Sequence, residues 1–251
     1  MALKGLEILV NEEHQEQDTL LSVENLHMKY NEGKENEVYV LKGMDFTISA
    51  GQMVAIMGPS GCGKTTLLNL IGGLDQSSSG AISIDQAKID QMQDDELTRF
   101  RRDNIGYIFQ LFNLFEDQTA LQNVILPLLL QHKDVKSAKQ LGKMMLLDVG
   151  LGDRVDDVPA KLSGGEQQKV AIARSLITQP KLILADEPTG DLDEATSDDI
   201  MALFRRLQQE NPRTSIIVVT HSERIAGQCD RILHIEDGRI ESDRYLEEVV
   251  A

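Results

Sequence analysis

Positive charge and cysteine are both scarce in this chain of 251 residues. Lys and Arg number 25 against 41 Asp and Glu, so the formal net charge is -16. A surface this acidic repels nucleic acid and anionic lipid headgroups, which argues against partners of either kind. The two cysteines, Cys62 and Cys229, stand far apart without metal-ligand company. We therefore expect neither a disulfide framework nor a zinc site.

Long apolar runs are also missing. Stretches such as "VILPLLL" at 124–130 fall well short of the roughly 20 residues that a membrane-spanning helix needs. The beginning of the chain lacks the basic-then-apolar pattern of a signal peptide. Because 41% of the residues are hydrophobic, the chain is long enough to bury a substantial core. We expect a soluble cytoplasmic protein.

The spacing of apolar residues predicts two kinds of sheet. Residues 1–20 are acidic and lack periodicity, so we interpret them as a flexible arm. From Leu21 onward, "LLSVENLHMKY" and "GMDFTISAG" alternate apolar and polar residues, which predicts antiparallel strands. Continuous apolar runs separated by helical patterns predict a parallel sheet with crossover helices, with strands near 52–57, 105–109, 181–186 and 214–220.

Two further segments complete the predicted organisation. Residues 112–178 contain helical stretches and no convincing strand, which indicates an inserted helical lobe. The stretch "RILHIEDGRIES" predicts a hairpin that turns on Asp237 and Gly238.

The stretch "GPSGCGKT" at 58–65 has the pattern Gly-x-x-x-x-Gly-Lys-Ser/Thr between a predicted strand and a predicted helix. Glycines let backbone N–H groups converge on a polyphosphate, the Lys64 ammonium reaches the β and γ phosphates, and the Thr65 hydroxyl ligates Mg²⁺. Cys62 is an uncommon residue for this loop; we interpret it as inert, with a redox role as the alternative. The predicted nucleotide-binding residues here are Gly58, Pro59, Ser60, Gly61, Cys62, Gly63, Lys64, Thr65 and Thr66.

Two consecutive acids end the apolar run "LILADEP". Consecutive strand residues point to opposite sides, so Asp186 and Glu187 are expected to do different work. Asp186 suits the Mg²⁺ shell, and Glu187 suits activation of the attacking water, a general-base task that contributes about 10² to 10⁴ in rate. The alternative is that one acid only caps the turn at Pro188.

His221 and Gln110 each follow a predicted buried strand. At the carboxyl end of a parallel strand, a side chain faces the ligand crevice. We therefore predict a catalytic role for His221 beside Glu187, and contact between the Gln110 amide and Mg²⁺ or the water.

The stretch "LSGGEQQKV" at 162–170 begins a predicted helix with bare backbone. Ser163 and Glu166 fit a capping box, but a cap does not need Gly164 and Gly165, each of which costs up to about 1 kcal/mol relative to alanine. Exposed N–H groups at a helix start form an anion site. Because this helix begins in the helical lobe and not beside Gly58, we predict a head-to-tail dimer in which it binds the γ-phosphate of the partner's ATP.

Six motifs in this order resemble the ATP-binding subunits of ABC transporters: Walker A "GPSGCGKT", the Q-loop at Gln110, the signature "LSGGEQ", Walker B "LILADE", the D-loop "GDLD" at 190–193 and the switch His221. The resemblance covers residues 21–239. It implies an α/β P-loop NTPase (RecA-like) fold with a mixed sheet, an antiparallel β subdomain and an inserted α-helical subdomain. The implied ABC ATPase domain spans 21–245, with a core lobe near 21–110 and 180–245, a helical lobe near 111–179 and a tail at 246–251.

The resemblance also implies function. It indicates an ATPase that uses ATP and Mg²⁺, an ATP-dependent homodimer, and an integral membrane permease docked near "LFNLF" at 111–115, which places the protein on the inner face of the cell membrane. By analogy Tyr30 stacks on adenine, with Tyr39 as the alternative. Ser163, Gly164, Gly165, Glu166 and Asp191 then serve the partner's nucleotide.

Stretches such as "IGYIFQLFNL" and "ILADEPTGDLD" are similar to the LolD/MacB branch, which serves lipoprotein release and macrolide or peptide export. Glu166 stands where Gln is usual and Asp191 where Asn or Ala is usual. Neither change removes a catalytic group, although Asp191 adds negative charge near the expected dimer seam. The alternative function is a soluble ABC ATPase in assembly or regulation, as in iron–sulfur cluster assembly, without a permease.

Overall fold

The computed structural model describes residues 19–246, which form two sheets and seven α-helices in that range. The strands are β1 (Thr19–Tyr30), β2 (Val38–Ser49), β3 (Met53–Met57), β4 (Ser79–Ile84), β5 (Ala87–Lys88), β6 (Ile105–Ile108), β7 (Leu182–Asp186), β8 (Ser215–Val219), β9 (Arg231–Glu236) and β10 (Arg239–Tyr245). The helices are α1 (Lys64–Ile71), α2 (Asp94–Asn104), α3 (Ala120–Leu130), α4 (Val135–Asp148), α5 (Gly164–Leu176), α6 (Glu194–Glu210) and α7 (Glu223–Ala226).

The larger sheet has six strands in the order β10-β9-β3-β8-β7-β6, and all neighbours are parallel except β10 with β9. Every residue of β3 and β8 is buried, as expected for the centre of a parallel sheet covered on both faces. Alternate residues serve the two faces: Met53 and Ala55 belong to one buried cluster, and Val54 and Ile56 belong to the other. The fold class predicted from the sequence is confirmed.

The smaller sheet is antiparallel, in the order β2-β1-β4-β5. It packs with α1 on one face of the larger sheet, where its strands share a buried cluster with residues such as Leu68 and Leu184. Helices α3, α4 and α5 pack on the opposite face, in a cluster that joins Leu121 and Val170 to Ile183. This cluster is continuous between helices and sheet, and the division of the chain into a core lobe and a helical lobe stays a prediction.

The predicted strands and helices are present, with differences at their ends. Strand β1 begins at Thr19, inside the predicted arm of residues 1–20, because Leu20 is already buried in the core; the rest of the arm and most of the tail lie outside the described residues. The sequence reading missed β4, β5 and α2. None of the residues of α2 is buried, so this helix has no apolar stripe for a periodicity argument to detect.

The hairpin of β9 and β10 turns where the sequence indicated. Asp237 and Gly238 have φ of 44° and 73°, the left-handed values that a tight hairpin turn requires. A Cβ on Gly238 would overlap the carbonyl oxygen of Val40 in β2, so this turn also needs glycine for close packing.

The apolar run at 124–130 forms part of α3, which is capped at its start and packed against the core. Thr119 and Gln122 exchange the two hydrogen bonds of a capping box there. Among residues 19–246, no helix combines the length and the apolar character that a membrane crossing requires.

Candidate functional site

Four neighbouring strands of the larger sheet end at one edge, where the phosphate loop, Asp186, Glu187, Gln110 and His221 lie. Tyr30 ends β1 of the smaller sheet, and Ser163 precedes α5. Strand register pairs Ile56 and Asp186 with Val219, and Ile108 with Ala185. The loop after β3, the acids at the end of β7, the segment after β8 and the segment after β6 therefore begin side by side. Ligand sites of open parallel sheets occur at this carboxyl edge.

Glycine is required at several positions of the loop between β3 and α1. Gly58, Gly61 and Gly63 have φ of 148°, 80° and 104°, which L side chains rarely adopt. A Cβ on Gly58 would overlap the carbonyl oxygen of Ile235, and one on Gly63 would lie 2.7 Å from Leu41 Cδ2. These residues bring the backbone close around the start of α1, which is the geometry of a phosphate cradle.

The Lys64 side chain folds back over this loop. Its Nζ donates to the carbonyl oxygens of Gly58 at 2.8 Å and Pro59 at 2.9 Å, and lies 3.9 Å from Cys62 Sγ. Lys64 and Cys62 are buried, whereas Pro59, Ser60 and Gly61 are exposed. The cradle therefore presents an exposed rim with one fixed cation beneath it.

Thr65 and Asp186 bring hard oxygen ligands together at the same edge. Thr65 Oγ1 lies 3.5 Å from Asp186 Oδ1. Burial raises the pKa of Asp186, with a further increase from the Glu187 charge, while Thr65 and the Lys64 charge oppose the shift. Burial and the charge of Asp186 also raise the pKa of Tyr107.

These donors fit Mg²⁺. Mg²⁺ usually takes one or two protein carboxylate or hydroxyl ligands and completes its octahedron with water and substrate phosphate oxygens. Within residues 19–246 no group of three or more His, Cys, Asp and Glu side chains could hold a metal ion. Thr65 and Asp186 would hold the ion, and the substrate phosphates would complete its shell.

The Glu187 carboxylate contacts His221. His221 Nδ1 lies 3.0 Å from Glu187 Oε2, a hydrogen-bond distance between imidazole and carboxylate. The two acids were expected to diverge because strand residues alternate, but β7 ends at Asp186 and Glu187 has a left-handed φ of 45°. Glu187 therefore belongs to a turn and not to the strand. In this turn the Glu187 N–H donates to Val219 O and the Gly190 N–H donates to Glu187 O.

Gln110 is exposed just past the end of β6, and the segment after it has an unusual backbone. Phe112 and Asn113 both have φ of 49°. Leu111 and Phe115 are exposed to 76% and 53%, whereas Leu114 packs against the core. The apolar stretch "LFNLF" therefore divides between surface and interior.

The predicted capping box at the start of α5 is present. Glu166 N–H donates to Ser163 Oγ at 3.3 Å, and Ser163 N–H donates to Glu166 Oε2 at 2.8 Å. Glu166 also accepts from Arg154 Nε at 3.2 Å. The Ser163 N–H holds the pKa of Glu166 below its usual value. The carboxylate is thus engaged within its own chain, and the contact with Arg154 is one that the sequence did not indicate.

The two signature glycines have different surroundings. A Cβ on Gly165 would lie 2.6 Å from Thr196 Cγ2, which is a packing reason for glycine within this chain. A Cβ on Gly164 would lie 3.5 Å from Leu192 Cδ2, an ordinary contact, so an alanine would fit. Ser163, Gly164 and Asp191 are exposed.

Of the two candidate aromatic residues, Tyr30 is the one beside the phosphate loop. The Tyr30 hydroxyl donates to Asp75 Oδ2 at 3.0 Å. Burial and the contact with Asp75 raise the pKa of Tyr30, and a hydrogen bond with Thr66 opposes this shift. The Tyr39 hydroxyl is bonded instead to His27 Nδ1, and its ring stacks on the His27 ring. The exposed fractions of the two side chains are similar, 37% for Tyr30 and 39% for Tyr39. Their contacts differ, and these distinguish the two candidates.

Three polar side chains hydrogen-bond to the backbone of loops around the site, and the sequence analysis did not identify them. Gln168 Nε2 donates to Pro188 O at 2.7 Å, next to Glu187. Arg174 donates to the carbonyl oxygens of Phe112 and Asn113. The buried Asn123 amide accepts from the Phe115 N–H and donates to loop carbonyls. A polar residue inside an apolar helical pattern, as in "VAIARSL" and "LQNVIL", was the available signal.

The parallel sheet with a glycine loop and hydroxyl–carboxylate pair at its carboxyl edge defines a P-loop nucleotide-binding protein. The ABC transporter family profile matches residues 41–190, and the chain belongs to this family. It is similar to the lipoprotein-releasing system ATP-binding protein LolD of Legionella pneumophila, at 43% identity over 89% of this chain and 97% of that protein. It is also similar to the macrolide export ATP-binding/permease protein MacB of Rhodopirellula baltica, at 43% identity over 89% of this chain but 33% of that protein.

A solved structure supports the same conclusion. The ATP-binding cassette MJ0796, whose sequence is from Methanocaldococcus jannaschii, has been solved as a dimer in a post-hydrolysis state with ADP and Pi. It matches with a TM-score of 0.83 and 40% identity, over 91% of this chain and 99% of that chain. The chain is thus an ABC cassette ATPase of the LolD/MacB type that uses ATP with Mg²⁺, as the motifs indicated.

Proposed function

We propose that this ATPase forms a head-to-tail homodimer around two MgATP molecules and that closure of the dimer drives a membrane permease. In each half, the loop at 58–66 binds the phosphates and Tyr30 stacks on adenine. Ser163, Gly164, Gly165 and Asp191 of the other half complete the site. MJ0796, a relative of the same fold, has been solved as a dimer, which supports the formation of a dimer here.

The observation that most directly supports the dimer is the exposed backbone at the start of α5. First-turn N–H groups have no partner within a helix. Within residues 19–246, the N–H groups of Gly164 and Gly165 have no acceptor, and Ser163 and Gly164 are exposed. Packing accounts for Gly165 but not for Gly164. A γ-phosphate from a second subunit supplies both the missing acceptor and a reason for the bare backbone.

Hydrolysis is assigned to Glu187 and His221. Glu187 accepts the proton of the attacking water. His221 Nδ1 lies 3.0 Å from the Glu187 carboxylate and orients this carboxylate. Lys64 holds the phosphates, while Thr65, Asp186 and Gln110 hold Mg²⁺, which when bound neutralises charge on the phosphates. Glu166 contributes by fixing the start of α5 through its hydrogen bond to Ser163.

The permease is proposed to dock on the exposed side of the segment after Gln110. Leu111 is the most exposed large apolar side chain of the described residues, and Phe115 is exposed over about half of its surface. Phe115 also borders a groove of about 420 Å³, lined mainly by apolar residues of α3 such as Ile125 and Leu129. An exposed apolar surface of this kind suits a helix or loop of a membrane protein.

LolD and MacB suggest lipoprotein release, macrolide or peptide export, or a related task for this protein, on the cytoplasmic face of the membrane. Capture of the tagged full chain from detergent-solubilised membranes tests the assignment. We expect a protein with membrane-spanning helices to be captured by the wild type, and to be lost with Leu111→Asp together with Phe115→Asp. Capture of only soluble assembly factors would favour the alternative, an ABC ATPase without a permease.

A further inference from the structure

Arg174 lies partly buried in α5, and its guanidinium reaches the segment that follows Gln110. Its Nη1 donates to the Asn113 carbonyl oxygen at 2.6 Å, and its Nη2 donates to the Phe112 carbonyl oxygen at 2.9 Å. In the part of the chain from Thr19 to Leu246, no carboxylate pairs with this cation. Burial lowers the pKa of Arg174, because no acid offsets its desolvation. The guanidinium therefore hydrogen-bonds to two backbone carbonyl groups and to no carboxylate of the described residues.

Those carbonyl groups belong to a backbone that needs support. Phe112 and Asn113 have consecutive left-handed φ values of 49°. Asn tolerates this region, but a bulky residue such as Phe is rarely found there. Such a conformation persists where neighbouring groups hold it, and the planar guanidinium holds both carbonyl groups at once.

Gln110 lies between two anchors. Before it, β6 ends at Ile108, which pairs with Ala185 beside the metal-binding Asp186. After it, Arg174 fixes Phe112 and Asn113, and Asn123 fixes Phe115. Gln110 itself is exposed. The path of the backbone at 112–113 therefore determines where the Gln110 amide stands at the sheet edge.

We propose that Arg174 is a positioning residue for ATP hydrolysis, and that its two hydrogen bonds hold the Gln110 amide where it reaches Mg²⁺ or the attacking water. The inference rests on the proposed role of Gln110. We expect Arg174 to affect turnover and not nucleotide affinity, because Arg174 bonds to the segment after Gln110 and makes no contact with the phosphate loop.

A double-mutant cycle tests this route. Arg174→Lys keeps the charge but has a single nitrogen, which does not span both carbonyl groups. In the purified full chain with MgATP, we expect Arg174→Lys to lower kcat about tenfold or more, with the Kd of a fluorescent ATP analogue within twofold of wild type. Gln110→Ala is expected to lower kcat similarly. Combined, the two changes should lie within twofold of Gln110→Ala alone, because the second change removes nothing further.

Arg231→Lys is the matched control. Arg231 is more deeply buried than Arg174 and pairs with Asp243. Like Arg174 it donates to a backbone carbonyl, that of Thr47 at 2.7 Å, but it lies where β9 begins, away from the carboxyl edge of the sheet. Arg231→Lys should lower Tm at least as much as Arg174→Lys and leave kcat within twofold. Equal losses of kcat in both variants would mean that Arg174 only stabilises the fold, and would overturn the proposal.

Additive losses in the cycle would also overturn the inference while leaving the role of Gln110 intact. A Gln110→Ala variant with wild-type turnover would instead overturn both the inference about Arg174 and the proposed role of Gln110. If Arg174→Lys fails to fold, Asn113→Pro replaces it, because proline imposes φ near -65° on the exposed loop and leaves the guanidinium in place. Asn113→Pro should lower kcat about tenfold and be non-additive with Gln110→Ala; wild-type turnover in this variant would contradict the proposal.

Discussion

His221 Nδ1 and Glu187 Oε2 are 3.0 Å apart, although 34 positions separate the two residues in the chain. The contact forms because β7 and β8 are neighbours, and both residues follow the ends of these strands. Glu187 lies in a left-handed turn after β7, and its carboxylate contacts the imidazole from there. This arrangement gives the first prediction.

Glu187→Gln should lower ATP turnover by about 10² to 10⁴, the usual contribution of a general base. The amide keeps the size of the side chain and leaves the phosphate loop unchanged, so a MgATP-bound dimer should accumulate. Size-exclusion chromatography with light scattering measures it. A variant that binds nucleotide yet elutes as a monomer would count against the head-to-tail dimer.

Ser163→Arg should block hydrolysis while the affinity of the monomer for ATP stays within twofold. The change puts a long cation at the exposed start of α5, where the proposal places the partner's γ-phosphate. Thr119→Arg is a matched control, because Thr119 forms the same capping box at the start of α3. The control should lose about 1 kcal/mol of stability and keep its turnover. Equal loss of binding and hydrolysis in Ser163→Arg would place α5 beside its own nucleotide.

The two signature glycines should separate stability from function. Gly164→Ala should leave Tm unchanged or slightly higher and lower turnover, because the added methyl group fits the monomer but fills the space in which the proposal places the partner's phosphate. Gly165→Ala should lower Tm as well, since its Cβ would lie 2.6 Å from Thr196 Cγ2. Thermal unfolding and ATPase assays of both variants check this. Full activity in Gly164→Ala would remove the main support for the anion site.

Tyr30→Ala should weaken ATP binding by about 1–3 kcal/mol, roughly 5- to 150-fold in Kd, as expected for loss of base stacking. Tyr39→Ala should change Kd less than twofold, because its hydroxyl and ring are engaged with His27. Titration of a fluorescent ATP analogue measures both. The reverse order would assign the base to Tyr39.

The raised pKa of Asp186 predicts an early loss of activity on acidification. The carboxylate must be ionised to hold Mg²⁺, and a raised pKa means that it is protonated at a higher pH than an ordinary aspartate. Because Mg²⁺ competes with the proton, excess Mg²⁺ should shift the acid limb of the ATPase profile to lower pH. An acid limb that is independent of Mg²⁺ would assign it to another group.

The same shift has a stability consequence. A carboxyl whose folded pKa is raised favours the folded state below the unfolded pKa, and this contribution is lost as pH rises through the folded pKa. Asp186→Asn should therefore raise Tm at neutral pH without nucleotide, while raising the Mg²⁺ concentration needed for half-maximal turnover. A lower Tm would show that the hydrogen bond from Thr65 outweighs the desolvation of the charge.

Much of this site is determined locally, which is why the sequence by itself predicted it. The phosphate loop, the strand before it and the helix after it are contiguous, and the capping box of Ser163 and Glu166 spans a single turn. The buried strands and the Asp237–Gly238 turn follow from apolar runs and backbone preferences over a few residues. Short-range sterics and hydrogen bonds set all of these features.

Other features depend on which distant segments meet, and only the tertiary structure decided them. Packing against Thr196 explains Gly165, burial against the core carries β1 back to Thr19, and the neighbours of Tyr30 separate it from Tyr39. The clamp of Arg174 on Phe112 and Asn113 joins positions about 60 residues apart. No local pattern encodes such pairs, because their free energy arises only when the sheet and its covering helices bring the groups within hydrogen-bond or van der Waals distance.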